Sequence, residues 1–311
     1  MDTMAVVLEA PERLAVERLR LDPAGDGDVV VAVEWSGIST GTERLLWSGK
    51  MPPFPGMGYP LVPGYESVGR VTAAGPNAGI AVGARVFVPG ARCFGPVRGL
   101  FGGAAAKLVV PGSRAIEIDD DLGDRGVLLA LAATAEHAVA ACAEAPDLIV
   151  GHGVLGRLVA RLAVLRRDDV TVWEVNPKRA SGAVGYRVVD PAQDERRDYR
   201  NIIDVSGDVG ILDRLMPRLA KGGEIVLAGF YAEPLSFAFP PAFMREARIK
   251  IAAEWAEVDL VAVRDLVRSG RLSLDGLITH RRDAADADAA YRTAFGDPEC
   301  LKMTLDWRAC S

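Results

Sequence analysis

Gly151, Gly153 and Gly156 form a G-x-G-x-x-G run between the apolar segment L-I-V and an Ala/Arg/Leu/Val segment of helical texture. Between a strand and a helix, that spacing suits a dinucleotide. Gly151 permits the tight turn, Gly153 lets the backbone approach a pyrophosphate, and Gly156 lets helix and strand pack closely. The helix start at Val154 and Leu155 offers unpaired N–H groups. Alone the motif is a weak signal. Here the strand V-T-V-W-E ends in Glu174, eighteen residues after Gly156, where a carboxylate accepts both ribose hydroxyls of an adenosine. A carboxylate there repels a 2′-phosphate, which predicts NAD rather than NADP. Lys178 and Arg179, just downstream, would pair with a phosphate unless they are a solvated helix start. Ser206 and Gly229, closing N-I-I-D-V-S-G and E-I-V-L-A-G-F, are expected to line the same carboxyl edge of the sheet.

The elements that must carry these residues change texture along the chain. Residues 1–120 read as short β-type runs cut by turn residues: DVVVAVEWSGIS, SVGRVTAAG, ARVFVPG and AAAKLVVPG. From about residue 121 to 256, apolar strands alternate with Ala/Leu-rich helical segments, which predicts βαβ units and a doubly wound parallel sheet of Rossmann type. Residues 257–311 carry a helix, a short strand, another helix and a final strand, expected to return to the first domain. An α/β protein of two domains follows.

Composition narrows the function classes. The 311 residues hold 36 Lys+Arg and 42 Asp+Glu, a formal charge of −6, and no basic stripe, so nucleic acid is not the expected partner. Half of the chain is apolar, enough for a real core. No apolar run approaches the ~20 residues of a bilayer span, and no basic n-region opens the chain. The four cysteines, Cys93, Cys142, Cys300 and Cys310, form no CxxC pair, which fits a reducing cytoplasm rather than a disulfide framework.

G-I-S-T-G-T-E (residues 37–43) and P-G-Y-E-S-V-G (residues 63–69), followed by the dinucleotide motif and a returning tail, resemble the medium-chain dehydrogenase/reductase superfamily over essentially the whole chain. That resemblance implies a GroES-like β-rich catalytic domain. Zinc-dependent members carry G-I-C-G-[ST]-D and G-H-E, whose Cys and His hold the metal. Anchored on G-T-E, Thr40 stands in the place of the Cys and Tyr65 in the place of the His. Neither replaces a thiolate or imidazole on Zn²⁺, and no zinc of either kind is expected. Glu43 and Glu66 match the acidic residues of both motifs and are expected to brace turn backbone. More narrowly, residues 35–71 together with A-T-A-E-H-A and V-G-H-G-V-L-G-R-L resemble the 3-hydroxyethyl bacteriochlorophyllide a dehydrogenases of photosynthetic bacteria. This implies oxidation of the C3 1-hydroxyethyl group of a chlorin or bacteriochlorin macrocycle to acetyl, late in bacteriochlorophyll a synthesis. Analogy with relatives also implies a homo-oligomer. A cytoplasmic location is expected, with a peripheral membrane contact open for so insoluble a substrate.

Such a flat, greasy disc with a propionate rim needs an apolar slot and a cation or two. The segment WSGKMPPFPGMGYP (residues 47–60) offers Trp47, Phe54, Met57 and Tyr59 for it, unless it is a Pro-stiffened loop packed on its own domain or on a partner subunit. Arg44, Lys50, Arg92 and Arg98 are the nearby cations. Without a metal, a side chain must handle the alcohol proton. The resemblance places Thr42 at the family's proton-relay position and Tyr65 at a former ligand position. His137 is the third candidate, as base or as axial ligand to a chlorin magnesium, or else a satisfied helix histidine. His152 is expected beside the cofactor phosphates, and His280 in a structural strand. Two alternatives stay open: a metal-free dehydrogenase of a small secondary alcohol or polyol, and a non-catalytic NAD- and pigment-binding module.

Overall fold

A computed structural model describes residues 1–310. The chain divides into two compact units, one of residues 1–130 with 277–311 and the other of residues 131–276. The change of texture along the sequence predicts these boundaries at 120 and 256, ten and twenty residues earlier than the packing sets them.

The first unit is organised around the strand Asp28–Ile38. Its run of valines is buried, with Val29, Val31 and Val33 all at or below 3% exposure. It pairs antiparallel with Ser67–Ala74, Lys107–Pro111 and Met303–Asp306. The sheet they form has seven strands and accompanies a four-stranded sheet containing Asp2–Ala10 and Arg13–Arg20. Close strand approach explains Gly69: a Cβ there would lie 2.1 Å from the Ala32 carbonyl oxygen. Two consequences place the site. The central strand stops at Ile38, so residues 39–41 form the turn into the helix Thr42–Ser48. Met303 pairs with Ile38, which sets Lys302 beside that turn.

The second unit holds six parallel strands in the spatial order Arg187–Val189, Thr171–Trp173, Leu148–Val150, Tyr199–Asp204, Leu219–Leu227, Arg248–Ile251. Numbered along the chain this is 3-2-1-4-5-6, the Rossmann order, whose crossing point beside the first strand is where a dinucleotide lies. The helix Glu257–Arg268 belongs to this unit rather than to the returning tail. Its Asp259 accepts a hydrogen bond from His137 Nδ1 at 2.9 Å, and just beyond it the carbonyls of Ser273 and Asp275 take the two terminal nitrogens of Arg161 at 2.7 and 2.9 Å. Among the described residues no helix is long and apolar enough to cross a membrane.

Candidate active site

The turn after Asp28–Ile38 and the loop through Tyr65 meet in a cluster of hydroxyls. Tyr65 donates to Ser39 Oγ at 2.7 Å and also bonds the Thr42 side chain. Ser39 is buried whereas Thr40 is exposed. Ser39, not Thr40, is therefore the hydroxyl of this turn that meets Tyr65. The motif is one residue longer than its zinc-dependent counterpart, and anchoring it on G-I rather than on G-T-E would have found Ser39. The Tyr65 ring stands edge-on to Phe101, with centroids 5.5 Å apart. Burial and the nearby Glu66 charge push the phenol above its ordinary value.

Beneath the hydroxyls lie two carboxyls, Glu43 and Glu66, both at 0% exposure. Glu43 Oε1 accepts the Ser39 N–H at 3.0 Å and Oε2 accepts the Tyr291 hydroxyl at 2.5 Å. Glu66 is gripped by Lys302 Nζ at 2.6 and 2.9 Å, and the same ammonium donates to the Ile38 carbonyl at 3.2 Å. Glu43 thus braces turn backbone, while Glu66 forms a buried ion pair that no local sequence signal announced. Burial is the first cause pushing Glu43 from 4.5 to about 7. A carboxyl raised on folding binds a proton that the unfolded chain has already released, so stability falls as pH rises from about 4.5 to 7 and is level above that. The loss is about 3 kcal/mol at 1.36 kcal/mol per pH unit. Glu43→Gln, which mimics the protonated form, should flatten this component, measurable as urea midpoints at pH 5 and pH 8. A midpoint difference as large as that of the wild type would show that Glu43 does not titrate there.

In the second unit, the strand ends Val150, Trp173, Asp204 and Leu227 bring the glycine motif together with Glu174, Ser206 and Gly229. A Cβ on Gly156 would sit 1.8 Å from the Gly151 carbonyl oxygen, so glycine is obligatory there, whereas a Cβ on Gly153 would meet nothing within 4 Å. That open space, at the N-cap of the helix Val154–Ala163, fits a pyrophosphate. Glu174 accepts the N–H groups of His152 at 3.0 Å and Asn176 at 2.7 Å, which pins its carboxylate at the strand end. Asp204, which sequence reasoning missed, gathers Ser206 Oγ at 2.7 Å and the Tyr231 hydroxyl, and its backbone carbonyl takes Gly229 N–H at 3.0 Å. His152 does not face outward. Its Nδ1–H donates to the Arg179 carbonyl at 2.6 Å, its Nε2 accepts from Tyr186 at 2.9 Å, and burial lowers its pKa. Val154 is buried and Leu155 half-buried on the same turn.

The remaining candidates scatter. His137 is occupied by Asp259 within the second unit. Trp47, Met57 and Tyr59 pack on a core cluster of Leu8, Leu46, Met51, Leu61 and Leu100, and the Tyr59 hydroxyl donates to the Leu46 carbonyl. Phe54 stays exposed, as do Arg44, Lys50, Arg92 and Arg98. His280 lies in the strand His280–Asp283, paired with Met303–Asp306.

Residues 25–120 match the family model of the alcohol dehydrogenase GroES-like domain. Over 99% of both chains the sequence is 58% identical to the 2-desacetyl-2-hydroxyethyl bacteriochlorophyllide A dehydrogenase of Cereibacter sphaeroides, and equally to that of Rhodobacter capsulatus. The chain belongs to the 2-desacetyl-2-hydroxyethyl bacteriochlorophyllide A dehydrogenase family. Its fold is shared with a short chain alcohol dehydrogenase of Escherichia coli CFT073 complexed with NADH, at TM-score 0.82 and 22% identity over 98% of this chain and 99% of that one. The donors of this bacteriochlorophyllide dehydrogenase family member do not fit the catalytic zinc of the wider superfamily. Two hydroxyls bonded to each other replace thiolate and imidazole, and Lys302 holds the adjacent carboxylate. Among the described residues no three His, Cys, Asp or Glu side chains converge on a metal position.

Proposed function

We propose that this chain is a zinc-independent, NAD-dependent dehydrogenase that oxidises the C3 1-hydroxyethyl group of a bacteriochlorophyllide a-type macrocycle to 3-acetyl in bacteriochlorophyll a biosynthesis. What carries the proposal is the Tyr65–Ser39 hydroxyl pair, 2.7 Å apart where a metal would be held, in a chain 58% identical to dehydrogenases named for that substrate. When bound, the nicotinamide supplies the hydride acceptor. The protein must then hold the alcohol oxygen and remove its proton. Tyr65, kept neutral by burial, turns its O–H from Ser39 to Thr42 and accepts the alcohol proton as that O–H proton passes to Thr42, whose own hydroxyl proton leaves to water. Buried Ser39 fixes the phenol, and half-buried Thr42 opens the way to water. The pinned Glu174 carboxylate favours NAD over NADP, because it cannot swing away from a 2′-phosphate. Self-association through the outer strand Arg248–Ile251, whose Ile251 is 78% exposed, and a peripheral contact with the photosynthetic membrane belong to the same proposal.

The test is an incubation with either dinucleotide and the hydroxyethyl pigment. An absorbance shift to the acetyl macrocycle is expected, with NAD preferred by tenfold or more and no turnover of sorbitol-like polyols. Oxidation of polyols with the pigment ignored would replace this function with the small-alcohol alternative. Equal kcat/KM with NADP would remove the role given to Glu174.

A further inference from the structure

We infer that Phe101 is a wall of the macrocycle site and a specificity-determining residue for a flat conjugated substrate; this rests on the function proposed above. The reacting hydroxyl is separated from the macrocycle by a single carbon. If Tyr65 holds that oxygen, the conjugated plane passes within contact distance of whatever flanks the Tyr65 ring. Phe101 flanks it, at 5.5 Å between centroids and 88° between planes. Among the described residues of the first unit, Phe54 and Phe101 are the exposed phenylalanines, each at 37%, and the ring contacts of that unit join only Phe101 to Tyr65.

Single exposed apolar side chains are ordinary on protein surfaces. The backbone under this one is not. Leu100 and Gly102 N–H both donate to the Val62 carbonyl at 2.9 Å, Gly103 N–H to the Gly64 carbonyl at 2.7 Å and Ala104 N–H to the Pro63 carbonyl at 2.9 Å, so the segment around Phe101 is zipped to the segment carrying Tyr65. On the opposite side, Ala91 N–H donates to the Phe101 carbonyl at 2.9 Å. A Cβ on Gly90 would lie 2.2 Å from the Phe101 carbonyl oxygen, and one on Gly102 would lie 1.9 Å from that of Ala91. Both glycines have φ near +80°, at 85° and 78°. Glycine is thus required on both sides to hold the backbone of residue 101 where its ring stands partly exposed against Tyr65. A rigid, outward aromatic beside the reacting hydroxyl is what a π face stacks on.

The experiment compares wild type with Phe101→Ala, Phe101→Leu and Phe101→Trp, measuring kcat and KM for the pigment, pigment Kd by fluorescence quenching, and NAD Kd by calorimetry. Phe101→Ala should raise pigment KM and Kd about tenfold with kcat changed less than threefold. Phe101→Trp should restore wild-type values, with Phe101→Leu between them. An unchanged urea unfolding midpoint certifies the fold of each variant's first unit, and an unchanged NAD Kd that of its second. Wild-type turnover with pigment KM unmoved in Phe101→Ala overturns the inference alone. A loss in kcat at constant KM overturns it too, since Phe101 would then only support Tyr65. A wild-type protein that neither binds nor oxidises pigment overturns the proposed function and this inference together.

Discussion

Tyr65→Phe should lower kcat for the pigment by about 10²- to 10⁴-fold, the range for removing a positioned acid/base group, while leaving NAD affinity unchanged. The substitution keeps the ring and its edge-on contact with Phe101, and deletes only the oxygen that reaches Ser39 and Thr42. Losing that hydrogen bond costs about 1 kcal/mol of stability, far too little to explain such a fall in rate. Because burial and Glu66 raise the phenol's pKa, its ionisation should not appear as a basic limb in the pH–rate profile near neutrality. Single-turnover absorbance of the acetyl product checks both points. Wild-type kcat in the variant would remove Tyr65 from the chemistry. Pigment binding without turnover in wild type as well as variant would mark a non-catalytic carrier.

Lys302→Met should destabilise the first unit by about 3–5 kcal/mol, the cost of leaving a buried charge without its partner. Lys302 is 1% exposed and Glu66 0%, and the ammonium also satisfies the Ile38 carbonyl. Removing it strands Glu66, whose pKa burial already raises, so the carboxyl must take up a proton or draw in water. Lys302→Met combined with Glu66→Gln should regain most of the loss, since replacing both members of a buried pair is often near neutral. Urea unfolding of the two variants decides: a double variant as unstable as the single would assign Lys302 a packing role instead of an electrostatic one.

Local geometry was legible from residue type. Gly151, Gly153 and Gly156 declare a turn, an open approach and a tight packing contact because each demand acts within a few residues, and Glu174 follows at a distance set by one helix and one strand. The βαβ alternation and the β-rich domain likewise follow from the change in apolar period along the chain, whereas the strand order does not. Long-range partners were not legible. Glu66 and Lys302 are separated by 236 residues and Glu43 and Tyr291 by 248; the first pair forms because the last strand registers against Trp35–Ile38, the second because the helix Ala287–Gly296 brings Tyr291 to Glu43. Direction was equally hidden in the aperiodic segment 47–60. Its composition suggested a greasy slot, yet Trp47, Met57 and Tyr59 turn into their own core while Phe54 stays out.

The amino-acid sequence by itself determined a dinucleotide turn, a two-part α/β architecture and the absence of thiolate and imidazole at the old ligand positions, because those depend on side-chain chemistry and short spacings. Only the tertiary structure decided that Ser39 rather than Thr40 meets Tyr65, that Lys302 neutralises Glu66, and that Phe101 stands beside the hydroxyls. Burial and strand register, which settle those choices, are properties of the packed chain and leave no trace in any one segment.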